Sequence, residues 1–187
     1  MTVTANADNI FAGSGQCLSG PYGTTLPEDV DDMTALDGAL VDLGIVSEDG
    51  LEHSFSVDKT LIRDWEGRPV RTIGTATEIT FKLTFLETNA EVLERYYGAQ
   101  VESAGSGVKV TLDQPADPAY AMVIPVEDSS TGSVRVYVLP RVEVMERGDQ
   151  TIKPDETGYE ITFQALYDPD TDCCGYILYD GNLLGTT

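Results

Sequence analysis

The stretch EITFKLTFLETNAEVLERYYG, residues 78–98, changes its hydrophobic period halfway along. In its first half Ile79, Phe81, Leu83 and Phe85 alternate without a break with Glu78, Thr80, Lys82 and Thr84. That period of two predicts a strand with one buried face. Thr88 then stands three residues before Glu91, the spacing of a capping box, and Val92, Leu93, Tyr96 and Tyr97 follow at helical spacing as the residues that pack the helix on the core. Gly98 is a natural stop, because glycine enters the left-handed conformation that ends a helix without a Cβ clash. A helix of about three turns is marginal alone. Its apolar stripe must therefore pack on a sheet, and the strand just before it is the expected partner.

Downstream, residues 99–107 read as a Gly/Ser loop, and strands are expected at 108–112, 120–126, 133–144 and 158–167. In the third of these, Val134, Val136 and Val138 alternate with Arg135 and Tyr137, Pro140 interrupts, and Val142 and Val144 resume. Proline has no N–H for a ladder, so Pro140 marks an edge, a bulge or a bend. In the last, Tyr159, Ile161, Phe163 and Ala165 alternate with Glu160, Thr162 and Gln164. The polar link 148–158 suits an exposed antiparallel connection. The tail carries Asp168, Asp170 and Asp172, but an EF-hand loop needs Gly sixth and Glu twelfth, where this chain has Cys173 and Tyr179; a loose cation site is the most they suggest. Residues 177–179 suggest a short terminal strand. The fold class that follows is mainly β (α+β): an antiparallel β-sandwich or barrel with one packed α-helix at about 89–97.

Upstream, residues 1–60 are acidic, with Lys59 as their only Lys or Arg, and the run GSGQCLSGPYG at 13–23 reads as a loop or mobile arm. Its GxG, Gly13 to Gly15, has no strand before it and no amphipathic helix after it, which argues against a phosphate-cradling turn. Leu36, Leu40 and Leu43 suggest a helical turn, weakened by Gly38 and Gly44. Ile45 and Val46, then 53–57, are short apolar pieces on either side of Asp49-Gly50 and suggest a strand pair around that turn. Residues 58–71 read as a long loop of both charge signs around the only tryptophan, Trp65. Such a residue either caps a core edge or anchors an intermolecular contact.

Composition sets the bounds. A chain of 187 residues supports one well-cored domain spanning 1–187, with a loosely ordered N-terminal arm (about 1–30) and C-terminal tail (about 168–187). Eleven Lys+Arg against 32 Asp+Glu give a formal charge of -21, which opposes binding DNA by phosphate neutralisation. No apolar run is long enough to span a membrane, and the N-terminus lacks the basic and apolar regions of a secretory signal. Cys17, Cys173 and Cys174 form no metal or disulfide spacing and read as reduced thiols in a chain made in a cytosol. The single histidine, His53, has no nucleophile motif near it. Among 32 carboxylates none is singled out for hydrolysis. No catalytic residue, metal ligand or cofactor site is expected; the chain does not read as an enzyme.

LGIVSEDGLEHSFSVDKTLIRDWEGRPVRTI (residues 43–73) followed by FKLTFLETNAEVLERYYG (residues 81–98) resembles the major tail tube proteins of long-tailed, non-contractile bacteriophages, especially those infecting actinobacteria. The pieces that carry the resemblance are LGxVSEDGL at 43–51, Trp65-Glu66-Gly67 leading to Val70-Arg71, and ETNxEVLxxYYG at 87–98; GTTLPED at 23–29 also looks like the family's N-terminal region. The match covers about residues 20–100 by motif and the rest by β pattern. These residues show no Ig-like C-terminal domain of the kind some relatives append, and the Cys-Cys tail has no place in the pattern.

The resemblance implies a virion protein, made in the host cytoplasm, whose subunits form hexameric rings. Rings stack into the tube through which the genome leaves the capsid, with tape-measure and tail-terminator proteins as further partners. The family's long loop between early strands reaches the next ring, which assigns 58–71 to stacking: Asp58, Arg63, Asp64, Trp65, Arg68 and Arg71, with Trp65 as anchor and Arg63, Arg68 and Arg71 pairing with acidic neighbours. Terminal arms that order on assembly are also implied. An acidic lumen would repel DNA phosphate, so DNA passes without specific binding, although the candidate face Glu78, Thr80, Lys82 and Thr84 is mixed. The alternative is a monomeric β-sandwich binding, adhesion or decoration module, marked by one exposed aromatic patch and no self-association. A carboxylate-based hydrolase comes third and needs a deep cleft with two facing carboxylates.

Overall fold

The computed structural model describes residues 12–150, 152 and 157–180. In chain order they form strands β1 (Gly13–Gly15), β2 (Leu18–Pro21), β3 (Val41–Asp42), β4 (Glu52–Arg63) and β5 (Pro69–Phe85), helix α1 (Ala90–Tyr97), then β6 (Val101–Ala104), β7 (Gly107–Val110), β8 (Tyr120–Asp128), β9 (Val134–Arg147), β10 (Tyr159–Ala165) and β11 (Tyr176–Tyr179). The large sheet runs β3-β2-β8-β9-β10-β5-β4, with β1 also on β8 and β11 also on β9, and its named strand pairings are antiparallel. β6 and β7 form a separate hairpin. The expected mainly β fold with one helix holds among the described residues.

Alternation explains the core. β10 is buried at Tyr159, Ile161, Phe163 and Ala165 and half-open between them. Its inward residues meet Phe81, Leu83 and Phe85 from β5, Val142 and Val144 from β9, Met122 and Ile124 from β8, and Val92 and Tyr96 from α1. On β8 and β9 the opposite parity is buried too. Val123, Val136 and Val138 lie under Leu40, with Leu26, Met33 and Leu36 packed around them, so the segment 26–40 covers that end of the second sheet face.

Several expectations change. The helix starts one residue later than a Thr88 capping box would place it: Asn89 Oδ1 accepts from the Val92 N–H at 2.8 Å, while its Nδ2 donates to the Leu43 carbonyl at 3.1 Å. Asn89 can serve both contacts, and the Thr88 hydroxyl is taken by the Tyr159 hydroxyl at 3.0 Å. Gly98 does end the helix in the left-handed region. The helix lies chiefly over β10, not over its own preceding strand, with Tyr96 edge-on to Tyr159 at 5.3 Å. β4 pairs with β5 and not with residues 45–46; Val46 bridges Phe85 instead. Residues 58–71 are no loop but the outer part of that β4–β5 hairpin.

Within the expected arm at 13–23, β1 and β2 are strands laid on β8, while residues 1–11 lie outside the described residues. No helical turn spans 36–43; a 3-10 turn occupies Asp31–Thr34, and Leu40 and Leu43 are buried in the two cores. The expected loop 99–107 instead supplies β6 and the start of β7, and Leu112 is exposed beyond that hairpin. Pro140 sits inside β9, where the ladder to β8 slips between Tyr120 and Met122. There the other edge of β9 changes partner, from β11 at Val138 to β10 at Val142, so the missing N–H falls at a gap. The tail packs through 168–180, with β11 on β9; residues 181–187, like 151 and 153–156 of the polar link, lie outside the described residues.

Candidate assembly surfaces

β10 accompanies β5 only as far as Thr80, which faces Ser54 of β4. Beyond that point β4 and β5 continue as a two-stranded arm, and Phe55 to Arg63 spans about 30 Å at ~3.3 Å per residue. Its tip is a compact turn: the Asp64 N–H donates to the Arg68 carbonyl and the Gly67 N–H to the Asp64 carbonyl, both at 2.9 Å. Gly67 has φ +81°, a conformation that favours glycine. The Asp64 carboxylate accepts from the Arg68 and Glu66 backbone N–H groups. The Arg68 backbone bond is the main reason its pKa lies below the ordinary carboxylate value. Arg68 pairs with Asp64 at 3.0 Å and with Glu66, and Arg63 Nη1 donates to the Gly67 carbonyl at 2.9 Å, so both guanidiniums stiffen their own tip. Asp58 faces Ala76 and Arg71 faces Ile62 in the ladder. Trp65 stands fully exposed at the end.

The alternation of the buried sheet runs on into this arm. On β4 the core-side parity carries His53, Phe55, Val57 and Leu61, with Ile79 beside Phe55 on β5. The other parity carries Ser54, Ser56 and Thr60 beside Thr80, Glu78 and Ile73. In the body the core-side residues would be covered, yet here Phe55 is 64% and Leu61 44% exposed. Lys59 interrupts that row between Val57 and Leu61, and Ile62 and Ile73 are exposed on the other face. A lone two-stranded ribbon is marginal in water, and apolar side chains bared along it mark a contact surface. Sequence reasoning missed the surface by taking Asp64 and Gly67 as parts of a loop. They are the signal of a type I turn closed by a left-handed residue, flanked by the period-two pattern at 53–57.

The second surface is the open face of the sheet. Cross-strand rows set Ser54, Thr80, Gln164 and Glu143 side by side, then Glu52, Lys82, Thr162 and Glu146. Counting Glu78 and Glu160 of the same parity, five carboxylates share this face with Lys82 and Arg141. Lys82 Nζ lies 3.1 Å from Glu160, whose hydrogen bond raises the lysine pKa, and Arg141 lies 3.3 Å from Glu143. The face stays negative.

A third feature is a cavity of about 650 Å³ between β2, α1 and residues 116–120. Pro21, Ala39, Ala116, Pro118 and the Tyr120 ring line it together with Glu91 and Glu94. Buried Arg95 places its guanidinium 4.0 Å from the Tyr120 ring centroid and reaches Glu91 at 3.4 Å and Glu94 at 3.7 Å. Ser19 Oγ, buried on the same wall, has no hydrogen-bond partner among the described residues.

Of the expected helix residues, Val92 and Tyr96 are buried and Leu93 and Tyr97 pack half-buried against the same core. His53 is an aromatic contact at the root of the arm, stacked on Phe81 at 4.5 Å; burial lowers its pKa. Gly13 and Gly15 belong to β1, and a Cβ on Gly15 would lie 2.3 Å from the Pro125 carbonyl oxygen, so that glycine serves close strand approach. Asp168 accepts from the Tyr22 hydroxyl at 2.7 Å and from the Thr171 N–H and hydroxyl, which hold its pKa down, the Tyr22 bond most of all. It clamps a turn. Among the described residues no His, Cys, Asp and Glu group is arranged to hold a metal, and no helix is long and apolar enough to cross a membrane. Cys17 is a buried thiol with its pKa pushed up by burial, and Cys173 and Cys174 are half-buried free thiols.

The family described as phage tail tube protein matches residues 2–184. No curated protein matches the chain. Among solved structures, the sheath-tube complex of an extracellular contractile injection system in its extended state aligns with a TM-score of 0.49 at 9% identity, over 89% of each chain. The six-fold symmetrised baseplate of the anti-feeding prophage gives 0.46 at 12% identity, over 95% of this chain and 97% of that one. The tail of an empty gene transfer agent particle gives 0.41 at 9%, over 95% and 99%. The chain belongs to the phage tail tube protein family: it is a structural component of the virion and not an enzyme.

Proposed function

We propose that copies of this chain close into rings of six, the number the family resemblance implies, and that the rings stack through the β4–β5 arm into a tube that conducts DNA out of the capsid. The arm is the observation that carries this reading. It projects about 30 Å of ribbon, bares Phe55, Val57 and Leu61 on its core side, and ends in a stiffened turn with Trp65 outermost. A subunit that works alone gains nothing from such a surface. One that is covered by a neighbour gains the burial of each side chain, about 1.5–3 kcal/mol for a full one. Asp58, Arg63, Asp64, Trp65, Arg68 and Arg71 are then stacking residues, with Arg63 and Arg68 shaping the tip and Trp65 making the contact.

The five-carboxylate sheet face is suited to the lumen, where it would repel phosphate and keep DNA from adhering. The whole chain acts as one tail-tube domain, with tape-measure and tail-terminator proteins as the partners at the inside and the end of the tube.

The test is light scattering and negative-stain electron microscopy over a range of concentration. It compares the natural chain with a variant in which residues 58–76 are replaced by Asn-Gly, a two-residue hairpin turn between Val57 and Thr77, which already face each other. Six-fold rings and tubes from the natural chain, and a folded but unstacked variant, are expected. Tubes formed without the arm, or no rings at any concentration from the natural chain, would overturn the reading.

A further inference from the structure

We propose that the Trp65 tip of one subunit seats in the cavity beside α1 of another copy, between β2 and residues 116–120. The inference rests on the stacking role of the arm and names the receptor. Trp65 is fully exposed in its own subunit. It is not among the residues that line the cavity of its own subunit, so a tip seated there comes from another copy. A tip and a receptor built from different residues make a head-to-tail contact, the kind that propagates from copy to copy without closing on a dimer.

Charge supports the same partner. Residues 58–71 carry Lys59, Arg63, Arg68 and Arg71 against Asp58, Asp64 and Glu66, a slightly net positive segment in a chain of net charge -21. The cavity wall presents Glu91 and Glu94 to one guanidinium, that of Arg95, so it keeps an excess negative charge. Both carboxylates are about one-third exposed, within reach of an incoming cation. Its lining also includes Pro21, Ala39, Val41, Ala116 and Pro118, apolar and suited to an indole. At about 650 Å³ the cavity has the size of a ligand pocket and takes the indole with its flanking turn residues.

The test is disulfide cross-linking in assembled tubes of a Glu66→Cys, Gln100→Cys variant. The pair joins the exposed tip neighbour of Trp65 to an exposed residue on the cavity wall; Glu66→Cys with Val108→Cys serves as the control, and products are mapped by peptide mass spectrometry. An intermolecular 66–100 bond is expected, absent from the 66–108 control and lost when Trp65→Ala is added. Tubes that form without any 66–100 bond would overturn this receptor and leave the stacking arm standing. Tubes that form equally well with Trp65→Ala would overturn the Trp65 anchor, and with it both readings of the tip. Bonds of equal yield at 66–100 and 66–108 would mean random collision and would also overturn the receptor.

Discussion

β5 is one unbroken strand with two fates. From Thr80 to Phe85 it lies between β4 and β10, and Phe81, Leu83 and Phe85 are buried. From Pro69 to Ile79 it keeps β4 as partner but loses β10, and Val70, Ile73 and their neighbours on β4 are exposed. Both halves carry large apolar side chains, at period two in the inner half and irregularly in the outer. Whether those side chains are buried follows from where the third strand stops. The inner half stabilises the subunit, and the outer half bares the apolar side chains that the proposed stacking would cover.

The comparison breaks most readily at Phe163, which lies between Phe81 and Val144 at the centre of the inner half. Phe163→Ala should cost about 3–5 kcal/mol, and at roughly 2–4 °C per kcal/mol for a chain of this size the thermal midpoint by circular dichroism should fall by about 6–20 °C. A change under a few degrees would show that the β5–β10 layer is not the main core. Leu61→Glu, in the outer half, should leave that midpoint within about 0.5 kcal/mol of the natural chain. The same change should weaken assembly by at least about 2 kcal/mol, roughly thirty-fold, as burial of a charge at a contact centre does. Sedimentation velocity reads the second effect, and unimpaired polymerisation would remove Leu61 from the interface.

A smaller effect sharpens the inner half. Asn89→Ala should lose about 1 kcal/mol with the helix cap, read from denaturant unfolding, while assembly of the folded fraction is untouched. Thr88→Ala removes only the bond to Tyr159; if it cost clearly more than Asn89→Ala, Thr88 would be the cap after all. The smallest effect belongs to the tip. The Asp64 pKa is depressed in the folded chain, so its contribution is present above the unfolded value near 3.8 and is lost as pH falls through the folded value. Trp65 fluorescence anisotropy should hold steady from neutral pH to about 4 and fall below it. A drop already at pH 6 would mean another group holds the turn.

Much of the inner half was legible from the sequence because a period of two and a period of 3.6 report burial directly. The strand at 79–85, the helix and its Gly98 stop, and the alternation of β10 all came from that signal. The acceptor that caps the helix did not, since Thr88 and Asn89 are both competent and only the position of Tyr159 and the Leu43 carbonyl chose between them. The arm is not legible as strands in the sequence because charges of both signs and a glycine mask the alternation on its two strands. The cavity was invisible, since Pro21, Ala39, Glu91 and Tyr120 are brought together only by the fold.

By itself the sequence determined the strand and helix periods, the acidity that disfavours DNA binding, and the ordered motifs of the tail tube family, because these depend on residue type and local spacing. Tertiary structure decided that β10 ends at the level of Thr80, that the hairpin beyond it leaves Trp65 fully exposed, and that β2, α1 and residues 116–120 meet in a cavity. Those depend on which strands pair and how far each pairing runs, a sum of long-range contacts that no local pattern contains.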